Sequence, residues 1–294
     1  MTSMKKSDLV LSLGQRLLLL LCIFLICYLL TMGAVYIIGR ALAANQGAAL
    51  RISAVLQDLM TFVIPAATTA VMVTRRPAEL LCLTRIPKIP FIIGITVILF
   101  VSIPAQEAII YWNHNITLPS SMAAFEIAAR AMEYAAFNTI KTLLSNTSVG
   151  ALTVNILIIG ILAGFSEELL FRGCFQRLLT TGGVNPHVAI WTVAICFSAL
   201  HFQVFGFVPR ILLGAYFGYL LLWSGSIWIP VTAHVLNNIM FVVTAYHNVR
   251  TEGLQALSNE PSLWPWDTAL ASVILTAAAL VWLHKYGISQ RDAK

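Results

Sequence analysis

Glu167 and Glu168 stand side by side in the run Gly164-Phe165-Ser166-Glu167-Glu168-Leu169-Leu170-Phe171-Arg172, inside an apolar stretch. An ionisable group at membrane depth costs roughly 2.5–3.5 kcal/mol on insertion scales, so a cluster of them marks a candidate functional site. Helical geometry separates the two carboxylates. At ~100° per residue, Arg172 lies about 40° from Glu168 around the helix and about 140° from Glu167. Glu168 and Arg172 can therefore neutralise each other at i,i+4, which leaves Glu167 aimed elsewhere without a local partner. An unpaired carboxylate in a dry setting suits a general base. The alternative for the pair alone is a structural ion cluster that locks two helices.

Other polar residues share the apolar segments. Phe197-Ser198-Ala199-Leu200-His201 closes one of them, and His234-Val235-Leu236-Asn237-Asn238 lies in another, with His234 and Asn238 one turn apart on one helical face. A single membrane histidine is more often a helix-packing hydrogen bonder. Two histidines, an asparagine and an unpaired glutamate together supply a base, a proton partner and donors for a developing oxyanion, the parts of a hydrolytic site.

Glu167-Glu168-x-x-x-Arg172, Phe197-x-x-x-His201 and His234-x-x-x-Asn238 resemble the three signature motifs of the CPBP family, the CAAX proteases and bacteriocin-processing enzymes, also called the Abi family. The motifs occur intact and in order between residues 167 and 238, and Gly225-Ser226-Ile227-Trp228-Ile229-Pro230 before His234 resembles the family too. The first half of the chain adds only compatible hydropathy. The resemblance implies an intramembrane endopeptidase of eight helices. Glu167 and His201 would hold and activate the attacking water, and His234 and Asn238 would stabilise the tetrahedral oxyanion. Glu168 and Arg172 would orient these groups, with Phe197 packing behind His201.

Two chemistries fit these ligand types. In one the carboxylate deprotonates water and no cofactor is needed; the resemblance points to this one. In the other, Glu167, His201 and His234 ligate zinc, with water in the fourth place. The HExxH pattern is absent from the sequence. Ser198 and Ser226 lie outside any GxSxG frame, and no pair of membrane aspartates suggests an aspartyl enzyme. The same polar residues could instead line a transport path, for which an internal repeat is expected and not found, or belong to a silent scaffold or immunity protein.

The elements that must carry these residues are membrane helices. Of 294 residues, 59% are hydrophobic and 10% charged, where a soluble domain carries about 25% charged residues. Long continuous apolar runs predict an all-α polytopic bundle of one domain, 1–294, rather than a β-barrel. The excess of basic residues sits at segment ends, which suggests a lipid partner and no nucleic-acid role. Eight apolar segments are predicted at about 17–38, 54–74, 89–112, 150–171, 187–204, 208–224, 227–246 and 267–285, with 150–246 as the catalytic core. The first is read as a retained signal anchor.

Lys5, Lys6 and Arg16, then Arg75, Arg76, Arg85 and Lys88, and finally Lys285, Arg291 and Lys294 predict both termini in the cytoplasm, in a cytoplasmic membrane. Within the 113–149 connection, Met122 to Leu144 is amphipathic: Phe125, Ala129, Met132, Ala136, Ile140 and Leu143 form an apolar stripe, and Glu126 can pair with Arg130. That helix either lies in the membrane interface or packs within the loop. Cys22, Cys27, Cys82, Cys174 and Cys196 are odd in number and lack a CxxC pair, so buried inert thiols are expected. Asp58 and Glu107 are expected to be helix-end groups facing water or packing partners. One tension remains in this scheme. Simple alternation puts His201 and His234 near opposite ends of their segments. A shared site needs a short, tilted or re-entrant helix near 187–204, or other limits for the segment carrying Glu167.

Overall fold

Apolar runs this long leave each backbone N–H and C=O no partner but its own helix, and the described residues contain helices and no strand. The computed structural model describes residues 10–258 and 264–292. Lys5, Lys6, Lys294 and the Arg291 side chain lie outside the described set. The helices are α1 (Leu13–Ala41), α2 (Gln46–Val73), α3 (Ile89–Val101), α4 (Ile103–His114), α5 (Ala123–Leu144), α6 (Val149–Thr181), α7 (Pro186–Ala199), α8 (Phe207–Ser224), α9 (Trp228–Glu252) and α10 (Trp266–Asp292). The chain is an integral, multi-pass membrane protein.

Local chemistry sets the limits of these helices. A capping box between Ser12 and Gln15 starts α1. Pro104, lacking an N–H and crowding the preceding turn, separates α3 from α4, which meet at a 53° bend. Gly183, at φ +95°, and the Asn185 cap before Pro186 turn the chain from α6 into α7. Gly225 closes α8 in the left-handed region.

Among the described residues, six helices are long and apolar enough to cross a bilayer, and the bent α3–α4 pair makes a seventh if it is one span. The segment expected at 187–204 is α7, which ends at Ala199 and measures only about 21 Å at 1.5 Å per residue, against a hydrocarbon core of about 30 Å. The segment expected to end at 171 runs on to Thr181. Both changes bear on the site.

Small residues fix the helix registers. Gly214 of α8 meets Ala194 of α7, and Gly218 meets Ile190, so the two helices form an antiparallel hairpin. Arg172 and Gln176 of α6 donate to the carbonyls of Gly214 and Gly218, so α8 runs parallel to α6. Gly160 and Gly164 of α6 meet Ile239 and Val235 of α9, which runs antiparallel. By the first two registers, the hairpin tip at 200–206 stands level with the middle of α6. A short helix paired to a longer one thus brings His201 to the depth of Glu167, which simple alternation of full spans could not do.

The helix ends sort onto two faces. The Val10 amide bonds the Val73 carbonyl, Arg16 bonds Thr181, and Ile227 and Trp228 bond the carbonyls of Cys82 and Leu83. The start of α1, the end of α2, the end of α6 and the start of α9 therefore share one face. On the other, Arg51 bonds Asn155 and the Leu143 carbonyl, and Tyr246 bonds the Thr147 carbonyl.

Helix α5 lies on this second face with its polar side inward. Glu133 accepts the Phe205 amide, Arg130 stacks over the Phe205 ring at 4.1 Å, and Glu126 pairs with Arg130 at 2.8 Å. Phe125, Ile127, Met132 and Tyr134 point outward. The expected apolar stripe is thus split. Ala129 and Leu143 are buried, while Phe125 and Met132 face the surroundings. Of the cysteines, all free, Cys22 is also on the outside, a correction to the expectation of burial.

Candidate active site

The helices around Glu167 depart from regular α geometry. In α6, π-helical turns at Ile156–Leu162 and Leu169–Gln176 flank Ala163–Glu168, and α2 has another at Asp58–Val63. Each such turn inserts a residue and re-aims the side chains beside it, a feature frequent at functional sites.

Glu168 and Arg172 are fully buried and paired at 2.7 Å. The Arg172 guanidinium also donates to the Gly214 carbonyl at 2.8 Å and lies over the rings of Phe197 at 4.7 Å and Phe217 at 5.4 Å. The same Glu168 oxygen accepts from Nδ1 of His234 at 2.9 Å. One carboxylate therefore joins α6 to α9, and through Arg172 to α8. His234 is stacked on Phe217 with ring centroids 4.7 Å apart. Its other nitrogen, Nε2, faces Glu167 at 3.8 Å. Glu167 keeps 15% of its side chain exposed, while Glu168 keeps none. The separation expected from the helical angle is present: one glutamate is tied, and the other opens onto the site.

Phe197 is buried with its ring edge-on to His201 and to His234, at 5.0 and 6.1 Å. His201 sits exposed at the hairpin tip, where its Nδ1 is 2.8 Å from the Phe197 carbonyl. A carbonyl only accepts, so Nδ1 carries the proton, and the neutral ring presents Nε2 as an acceptor. Phe202, next in the chain, holds φ at +55°. For a bulky residue this is a strained backbone, of the kind that persists where surrounding structure imposes it. Glu167 and His234 both act electrostatically on His201. Asn238 spends one amide hydrogen on the Ile159 carbonyl, at 3.1 Å, inside a π-helical turn. Its second amide hydrogen remains for another acceptor.

Two residues join the site that the sequence pattern did not single out. Asp58, expected at a helix end, is 6% exposed and lies in the interior of α2, where Ser166 and Glu167 act on its carboxyl. The expectation failed because the apolar run was taken to start at 54, whereas α2 begins at Gln46. The cost of a buried acid, which flagged Glu167, was the available signal. Arg210, on the first turn of α8, is the other; Glu167 and Glu133 both act on its charge. Glu107, by contrast, bonds the Trp264 indole away from the site.

Among the described residues, no three His, Cys, Asp or Glu side chains converge closely enough to hold a metal ion.

Residues 149–240 match the family described as Rce1-like, type II CAAX prenyl endopeptidase. This segment is similar to the Rce1-like family. It runs from the start of α6 into α9 and contains all three motifs. A curated relative, the uncharacterized protein YpbD of Bacillus subtilis (strain 168), is 30% identical over 91 residues, which make up 30% of this chain and 43% of YpbD. The chain thus spans less than half the length of that relative. No solved structure matches it.

Proposed function

We propose that the protein is an intramembrane endopeptidase of the CAAX-protease type, with residues 150–246 as its catalytic core and a peptide or membrane-protein segment as its substrate. The observation that carries this is the division of labour between adjacent glutamates. Glu168 is consumed by Arg172 and His234, while Glu167 stays accessible opposite His234 and near His201.

In the proposed reaction, a water held between Glu167 and Nε2 of His201 gives its proton to Glu167 as its oxygen attacks the scissile carbonyl carbon. The carbonyl π electrons move to oxygen, and the second amide hydrogen of Asn238 and Nε2–H of His234 receive that oxyanion. Because Nδ1 of His234 is hydrogen-bonded to Glu168, an Nε2–H requires the imidazolium, for which Glu168 is the counter-ion. Collapse of the intermediate breaks the C–N bond, and the proton on Glu167 passes to the leaving amine. Arg172 and Phe197 position these groups without touching substrate.

In this proposal the face carrying Arg16, Arg75, Arg76, Arg85, Lys88 and Arg177, and with it both termini, lies in the cytoplasm, the side that basic residues favour. The test compares peptide termini in membranes of cells making the native chain or Glu167→Ala. Termini that depend on Glu167 name the substrate and bond; identical sets of termini sink the proposal. The same comparison after chelation decides the cofactor. Activity that a chelator abolishes and zinc restores assigns Glu167, His201 and His234 to a metal instead.

A further inference from the structure

Arg210 stands beside the site with hydrogen-bonding capacity that the protein does not use. Its Nη2 donates to Oε1 of Gln203 at 2.6 Å, and the guanidinium lies so close over Gly206 that a Cβ there would come within 2.7 Å of Nη2. The fork is therefore held in place by the hairpin tip. Its Nη1 is buried and has no hydrogen-bond partner. The two carboxylates whose field reaches it, Glu133 and Glu167, close no ion pair with it. Glu133 instead accepts the Phe205 amide at 2.9 Å, and Glu167 faces His234. Arginine stays charged at any physiological pH, and a buried N–H left without an acceptor is costly. A planar guanidinium with a free N–H edge matches a carboxylate in two parallel bonds.

We infer that Arg210 recognises a carboxylate of the peptide substrate, bound close to the scissile bond between the hairpin tip and Glu167. The inference rests on the peptidase proposed above and adds the chemistry of its substrate. The carboxylate has two possible sources, the free C-terminus of a short substrate segment or an Asp or Glu side chain.

The experiment uses the purified full-length chain in lipid nanodiscs and three randomised peptide pools. One ends in a free acid and lacks Asp and Glu, one is the same pool ending in an amide, and one is amidated with a single Asp or Glu at varied positions. Mass spectrometry measures cleavage by the native chain, Arg210→Gln and Arg210→Lys, all checked for equal thermal stability. The native chain is expected to cut one acidic pool roughly 10- to 100-fold faster than the neutral pool, the worth of a charge-assisted hydrogen bond. Which acidic pool is favoured names the source. Arg210→Gln should bring that ratio to near one, and Arg210→Lys should keep part of it. Equal cutting of all pools by the native chain, or an unchanged ratio in Arg210→Gln, overturns the inference while leaving the peptidase standing. No cutting of any pool by the native chain, together with Glu167-independent termini in cells, removes both.

Discussion

Glu167 and Glu168 are chemically identical neighbours whose surroundings give them opposite tasks. Glu168 lies in a cage of charge and aromatic rings, and its Oε2 and the Arg172 Nε have no partner of their own. Removing one member of a buried pair leaves an uncompensated charge and typically costs about 3–5 kcal/mol. Glu168→Gln is therefore expected to lower unfolding stability in detergent by about that amount. Glu167→Gln, at an accessible carboxylate, should leave stability within about 1 kcal/mol yet reduce turnover ~100-fold or more. Equal losses of stability in the two variants would overturn the separation of base from brace. At this scale the i,i+4 pair was legible because both partners lie on one helix. The His234–Glu168 bond was not, because its partners are 66 residues apart in the chain.

At the scale of the element, α6 and α9 set the distance between Glu167 and His234, and two glycines let them approach. A Cβ on Gly164 would lie 2.9 Å from a Val235 methyl and 3.1 Å from its backbone nitrogen, one residue from His234. Gly164→Val should push α9 away, costing about 1–3 kcal/mol by overpacking and lowering turnover more than stability alone explains. Gly150, on the same helix, has open space where a Cβ would go. Gly150→Val is the control, expected to leave turnover unchanged, and comparable loss in both variants would show that α9 contact is not the cause. The π-helical turns belong to this scale too. No residue pattern announced them, since they arise where packing against neighbours outweighs the regular ladder.

At the scale of the whole molecule, the hairpin of α7 and α8 leaves and returns on the face where α6 ends, so the start of α9 shares a face with the start of α1 although α7 is too short to span. Surface labelling in cells checks this. With the native cysteines replaced, a single cysteine at Gly183 should resist a membrane-impermeant maleimide, while one at Asn146 should react. The opposite pattern would invert the proposed orientation. Residue type and spacing along the chain were enough to establish the class of the fold, the three motifs and the tie between Glu168 and Arg172. The fold class follows from hydropathy and the cost of charge in lipid, the tie from the angle between residues of one helix, and the motifs from their resemblance to a known family. The depth of His201, the inward polar face of α5, and the presence of Asp58 and Arg210 beside Glu167 came only with the tertiary structure. They depend on where one helix stops relative to another, and side-chain packing between distant segments decides that.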